Sequence, residues 1–207
     1  MIKNVVLDLG AVLLDIDLEA FKSELKLIRD ENQFQFNHEE VGLYGAYERG
    51  ELSTEAFFET LAAQFSGRVE LSRLQKAWAM ILKEPIPESI QFLQSIQGEY
   101  RVFLLSNTND AHRKQFDQTF DRYLGKGMFY GLFEHAFLSY EMGVIKPNDE
   151  IYHLIINRYN LKQEESLFID DNIKNIDAAR NLGFHVIHCK NIDLKAELIN
   201  MGIHLTD

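Results

Sequence analysis

Four stretches of this chain place side chains suited to phosphate chemistry beside short apolar runs. Asp8 follows Ile2–Leu7, Ser106 and Asn107 follow Arg101–Leu105, Lys146 precedes Pro147 and a helix start, and Asp170 with Asp171 follow Ser166–Ile169. A phosphate monoester is a dianion and repels a carboxylate nucleophile. Attack by Asp8 therefore requires a metal, and positive charge on the transferring oxygens. Magnesium takes octahedral oxygen coordination and keeps several waters. Asp8, a backbone carbonyl near Gly10 and Asp171 would supply protein oxygens and leave room for water and phosphate, with Asp170 and Asn175 holding those waters. The Ser106 hydroxyl and the backbone N–H groups after it can donate to phosphate oxygens, and Lys146 adds a point charge. The chemistry implied is a covalent aspartyl-phosphate step under electrostatic stabilisation.

Such groups are useful only if their strands end on one side of a sheet, where ligands of doubly wound folds bind. Ile2–Leu7, Arg101–Leu105, His135–Leu138, Ser166–Ile169 and His185–Cys189 read as strands buried on both faces. Helical spacing runs through Glu88–Gln97, stopped by Gly98, through Asn148–Tyr159, and through Lys174–Leu182, closed by Gly183. Strands alternating with helices imply an α/β class: a doubly wound, mostly parallel sheet. Between Asp15 and Pro87 lie roughly 70 residues, where a single crossover needs about a dozen. The excess is an insertion with four helical patterns, Leu18–Arg29, His38–Tyr47, Thr54–Phe65 and Leu71–Leu82, expected to form a small bundle over the sheet. Residues 1–14 with 88–207 are expected to form the core domain and 15–87 the helical cap, with Pro85 and Pro87 marking the re-entry.

Composition narrows the classes. The 207 residues are 46% hydrophobic and carry a formal charge of -11, which argues against a nucleic-acid surface. Cys189 is the only cysteine, so an internal disulfide and a cysteine-based zinc site are both excluded, and a reducing compartment fits. No apolar run approaches membrane-spanning length and no signal-peptide pattern precedes Ile2, so a cytoplasmic, membrane-free protein is expected. Other candidates have structural uses. Asp170, Asp171 and Ser106 can each cap a following helix. Tyr44, Tyr47, Glu48 and Arg49 can contact substrate or pack the cap. His185 and His188, three apart on a strand, face opposite ways and are expected to be structural.

Taken in order, VVLDLGAVLLDID, FLLSNTN, GVIKPNDEIY and LFIDDNIKNIDAA resemble the four motifs of haloacid dehalogenase-like (HAD) superfamily phosphatases, and ERGELSTEAF resembles their inserted cap. The resemblance covers essentially the whole chain. It implies a Rossmann-like core, magnesium, a small phosphate ester as substrate, Asp8 as nucleophile, and Ser106 and Asn107 as phosphate binders. It also implies Lys146 as the orienting cation, Asp171 as a metal ligand and Asp170 as an outer one. Gly10 departs from the pattern, since most phosphatases of the superfamily carry there an aspartate that protonates the leaving oxygen. Asp15 or Asp17 folding back, water, or an easily departing group would each answer the loss. The DLG and DID pattern resembles bacterial glucose-1-phosphate phosphatases, which directs attention to sugar 1-phosphates. A dehalogenase would attack carbon with the same aspartate but has no use for magnesium, so the Asp170, Asp171 and Lys146 set argues against it, and a binding protein with negligible turnover is the non-enzymatic alternative.

Overall fold

The computed structural model describes residues 1–32, 40–65, 68–189 and 198. In chain order the elements are β1 (Asn4–Leu7), β2 (Leu14–Ile16), α1 (Leu18–Asn32), α2 (Glu40–Glu48), α3 (Thr54–Ala63), α4 (Leu71–Ala79), β3 (Leu82–Pro85), α5 (Pro87–Ser95), β4 (Arg101–Ser106), α6 (Asp110–Leu124), β5 (His135–Leu138), α7 (Ser139–Met142), α8 (Asp149–Tyr159), β6 (Ser166–Asp170), α9 (Ile173–Asn181) and β7 (His185–His188). Five strands form a parallel sheet in the order β5-β4-β1-β6-β7. The register sets Leu7 opposite Leu104 on one side and Ile169 on the other, so the residues just beyond β1, β4 and β6 share one edge.

The two faces follow from the period of two along a strand. Val5, Leu7, Val102, Leu104, Leu167 and Ile169 pack with Ile90, Leu93, Phe116 and Phe120 of α5 and α6. Val6, Phe103, Leu105 and Phe168 point the other way, onto Ile151, Tyr152, Ile155, Ile176 and Ala179 of α8 and α9. Burial on both faces explains why these strands are continuously apolar rather than alternating. Asn109, Asn148 and Asn172 cap α6, α8 and α9, each side chain accepting a backbone N–H of the first turn. Gly98 turns at φ +82, as its place after an apolar helix implies.

A third apolar cluster joins Phe21, Leu25 and Ile28 of α1, Tyr47 of α2, Phe57, Phe58 and Leu61 of α3, and Leu74 and Trp78 of α4. Trp78 is its hub, with ring centroids 5.1 Å from Phe21, 5.6 Å from Tyr44 and 5.0 Å from Phe57. The insertion differs from an all-helical bundle in one respect. β2 and β3 pair antiparallel, Leu14 with Pro85 and Ile16 with Leu82, as a ribbon at its base. α4 accordingly stops at Ala79 rather than reaching Leu82. Pro85 restricts Glu84 to extended backbone and ends the helical option there. Nor does a strong apolar period announce α6, where the buried residues are only His112, Phe116, Thr119 and Phe120. The expected start at His38 of the second cap helix lies outside the described residues. Among the described residues no helix is long and apolar enough to cross a membrane.

Several contacts among the described residues join the inserted helices to the elements of the parallel sheet, including the Gln115 amide donating to the Ala79 carbonyl at 2.8 Å. The Tyr47 hydroxyl accepts the Ala111 N–H at 3.3 Å and is bonded to the Thr54 hydroxyl at 2.8 Å, which donates to Asp110 at 3.2 Å. Gly50, at φ +69, lies so close to Tyr140 that a Cβ there would meet the Tyr140 carbonyl oxygen at 2.2 Å. The His112 ring stacks on Trp78 at 4.8 Å and its Nε2 lies 3.3 Å from the Trp78 carbonyl.

Candidate active site

The carboxyl end of the parallel sheet brings Asp8, Lys146 and Asp170 into one buried chain. Asp8 continues β1, its N–H bonded to the Ile169 carbonyl at 2.9 Å. The Lys146 ammonium donates to Asp8 Oδ1 at 2.7 Å, Asp170 Oδ2 at 2.7 Å and the Leu105 carbonyl at 2.8 Å. Its three hydrogens are thereby placed, and its side chain is 1% exposed. A buried ammonium is tolerated only when paired and fully hydrogen-bonded. Burial works against the Lys146 charge, but Asp8 and Asp170 outweigh it and hold the ammonium pKa above its usual value. Burial pushes the Asp8 carboxyl up to about 7 against the pull of Lys146, with Asp170 adding to the rise.

Asn107 lies beside this chain with its amide turned to the Lys146 backbone, Nδ2 donating to the carbonyl at 2.9 Å and Oδ1 accepting the N–H at 2.8 Å. Its second amide hydrogen and backbone N–H are what it retains for an anion. The Ser106 hydroxyl lines the same cavity and makes only a 3.5 Å contact, to the Asn107 carbonyl. Of the backbone groups after Ser106, the Thr108 N–H is taken by the Ser139 hydroxyl at 2.9 Å. The helix cap in this region is Asn109, so Ser106 has no capping task.

Carboxylate oxygens of Asp8, Asp170 and Asp171 lie within 4.8 Å of one another, an all-oxygen set suited to a hard cation such as magnesium. Asp170 accepts from Lys146, from the Asn172 N–H at 2.8 Å and from Asn175 Nδ2 at 3.0 Å, so its oxygens are engaged. Asp8 and Asp171 keep freer oxygens. Burial raises the Asp171 pKa, with Asp170 adding to it. The Gly10 carbonyl is spared by the turn's own bonds, which run from Ala11 N–H to Leu14 O and from the Val12, Leu13 and Leu14 N–H groups to Leu9 O. His188 reaches the Asp171 carbonyl at 2.8 Å and His185 the Glu164 carbonyl at 3.2 Å, separate partners that leave the two histidines apart. The support His188 gives to Asp171 was not legible from spacing, because it depends on the β6–β7 register, Asp170 opposite His188.

Neither nearby aspartate takes the place left by Gly10. Asp15 is exposed and accepts the Ile16 N–H at 2.9 Å; Asp17 accepts the Ala20 N–H at 2.8 Å and pairs with Lys83 at 3.3 Å. Neither lines the cavity. The Ala20 N–H, then Lys83, hold the Asp17 carboxyl below its usual range. A Cβ at Gly10 would meet only Ile16, at 3.6 Å, so space is not what keeps that position small.

The cavity above Asp8 is about 950 Å³ and is bounded by both halves of the chain. Phe21, Tyr44 and Trp78 of α1, α2 and α4 form apolar walls, while Ser106, Asn107 and Lys146 form the polar floor. Of the cap residues singled out by sequence, Tyr44 and Glu48 line it. Tyr47 stacks on Phe57 at 4.2 Å, and Arg49 forks onto Glu51 at 2.6 and 3.0 Å. Burial pushes the half-buried Glu48 carboxyl up to about 7, against the pull of Lys146 and Arg49.

Comparison with known proteins agrees with this layout. A D-ribitol-5-phosphate phosphatase of Bacteroides thetaiotaomicron is 29% identical over 96% of this chain and 97% of its own length. A HAD family enzyme from the same organism, crystallised with magnesium and inorganic phosphate, superposes with a TM-score of 0.81 at 28% identity, covering 95% of this chain and 99% of that one. A predicted HAD-like family hydrolase from Porphyromonas gingivalis gives 0.82 at 29% identity, covering 99% and 98%. The family model for haloacid dehalogenase-like hydrolases matches residues 2–183, and with the parallel sheet, the inserted helices and the acidic strand ends in agreement, this chain belongs to that family.

Proposed function

We propose that this chain is a magnesium-dependent phosphatase of a small phosphorylated metabolite, acting through an aspartyl-phosphate on Asp8. The observation that carries the proposal is the buried Asp8–Lys146–Asp170 chain, 2.7 Å at each link, on the floor of a cavity that the insertion roofs. Residues 15–87 act as the cap over a core of 1–14 and 88–207.

Lys146 fixes one Asp8 oxygen and leaves the other to attack phosphorus, while its charge offsets that of the phosphoryl group. Ser106 and the Asn107 N–H hold phosphoryl oxygens. Asp8, Asp171 and the Gly10 carbonyl would hold magnesium, with Asp170 as an outer ligand, and the bound ion would supply positive charge to the transferring oxygens. Water then hydrolyses the acyl phosphate and regenerates Asp8. The cap walls exclude bulk water during both steps. Among substrates, a sugar 1-phosphate suits a chain without aspartate at position 10, because a hemiacetal leaving oxygen is more acidic than an alcohol. The named substrate of the Bacteroides relative, a sugar-alcohol phosphate, makes alditol phosphates the second class to try.

The test is phosphate release from a panel of sugar 1-phosphates and alditol phosphates with magnesium. Release that disappears with EDTA and in Asp8→Asn, with the fold intact by circular dichroism, is the expected result. Release undiminished in Asp8→Asn overturns the nucleophile; no release from any member leaves a binding protein.

A further inference from the structure

A phosphatase that accepts ordinary alcohol esters must protonate the departing oxygen, and Gly10 cannot. Resting on the phosphatase reading, we propose that Glu48, carried by the cap, donates that proton in place of the aspartate absent at position 10.

Glu48 lines the same cavity as Asp8, Gly10 and Lys146. Its position is fixed from both sides in sequence. Tyr47 is bonded through its hydroxyl to the Ala111 N–H at the start of α6, and Gly50 is pressed against the Tyr140 carbonyl of α7. The end of α2 is thus clamped to the core elements that flank Ser106 and Lys146. Among the described residues no hydrogen bond or ion pair claims the Glu48 carboxylate, and its neighbour Arg49 is forked onto Glu51. Of the other acids near the cavity, Asp30 lines it but is exposed, and the rest have tasks. Asp170 and Asp171 belong to the cation side, and Asp15 and Asp17 serve the turn before α1. His112 contacts Asn109 and Trp78 through its two ring nitrogens, and burial lowers its pKa to about 4. The pKa near 7 of Glu48, raised chiefly by burial, leaves a large protonated fraction at neutral pH, as a general acid requires.

The step balances. An Asp8 oxygen bonds to phosphorus as the ester P–O bond breaks, the electron pair stays on the leaving oxygen, and the Glu48 proton passes to it, releasing a neutral alcohol. Glu48 then takes a proton from the water whose oxygen attacks phosphorus. The acyl phosphate cleaves to phosphate and the Asp8 carboxylate, and Glu48 is an acid again.

The experiment compares first-turnover release of alcohol from an alditol phosphate and of nitrophenolate from 4-nitrophenyl phosphate, whose leaving group needs no proton. In Glu48→Gln the alditol rate is expected to fall about 100-fold or more and the nitrophenolate rate less than about threefold, the range a positioned acid contributes. Adding Gly10→Asp to Glu48→Gln is expected to restore the alditol rate. Equal losses on both esters, or an alditol rate unchanged in Glu48→Gln, overturn the proposal and leave the phosphatase reading intact. Inactivity of the unsubstituted chain on both esters overturns that reading and this one with it.

Discussion

The side-chain amide of Asn107 and the backbone of Lys146 hold each other through two hydrogen bonds, 2.9 Å from Nδ2 to the carbonyl and 2.8 Å from the N–H to Oδ1. A residue just beyond β4 thereby fixes the loop that delivers the buried cation. Asn107→Ala is expected to lower stability by about 1–3 kcal/mol, since the Lys146 N–H and carbonyl lose their partner. Phosphate release should fall with it. Urea melts beside turnover assays check both.

Lys146 is the only cation in contact with Asp8 and Asp170 among the described residues. Lys146→Met leaves two carboxylates buried without their counter-ion, and a loss of about 3–5 kcal/mol is expected at neutral pH. The loss should shrink as the pH falls and the stranded carboxylates take up protons. A constant deficit across pH in denaturant melts would count against the pairing as its cause.

Gly50 joins a left-handed backbone to a contact that excludes any Cβ. Gly50→Ala is expected to cost at least about 1 kcal/mol and to loosen the cap against α7. Limited proteolysis should then cut the insertion sooner, and KM should rise while the Asp8 chain stays intact. An unchanged digestion pattern would show that this contact does not hold the cap.

His112 gives a pH signature. Its folded pKa, lowered to about 4 by burial, lies below the ordinary value of 6.5, so the unfolded chain binds the proton more readily. The stability it contributes is fully present above pH 6.5 and is lost as the pH falls toward 4, by at most about 3 kcal/mol. His112→Gln should therefore be less sensitive to acid than the unsubstituted chain over that window. Denaturant melts at pH 7 and 5 measure the difference.

Asp8, Ser106, Asn107, Lys146, Asp170 and Asp171 could be singled out as candidates because each sits one or two residues beyond an apolar run, or at a turn, where local sequence leaves few options. The β2–β3 ribbon was not, since Leu14–Ile16 and Leu82–Pro85 are short and pair only with each other across the insertion. α6 escaped for a related reason: its long charged faces hide the four positions that meet the core.

The sequence by itself determined the strand ends, the acidic pair, the cation and the gap at Gly10, all consequences of residue type and local period. Tertiary structure alone decided that the Asn107 amide is turned to the Lys146 backbone, that His188 supports Asp171, and that Glu48 rather than Tyr47 or Arg49 faces the cavity. Those outcomes depend on how the cap docks and how β6 meets β7. Contacts between distant segments set them, and no local pattern encodes such contacts.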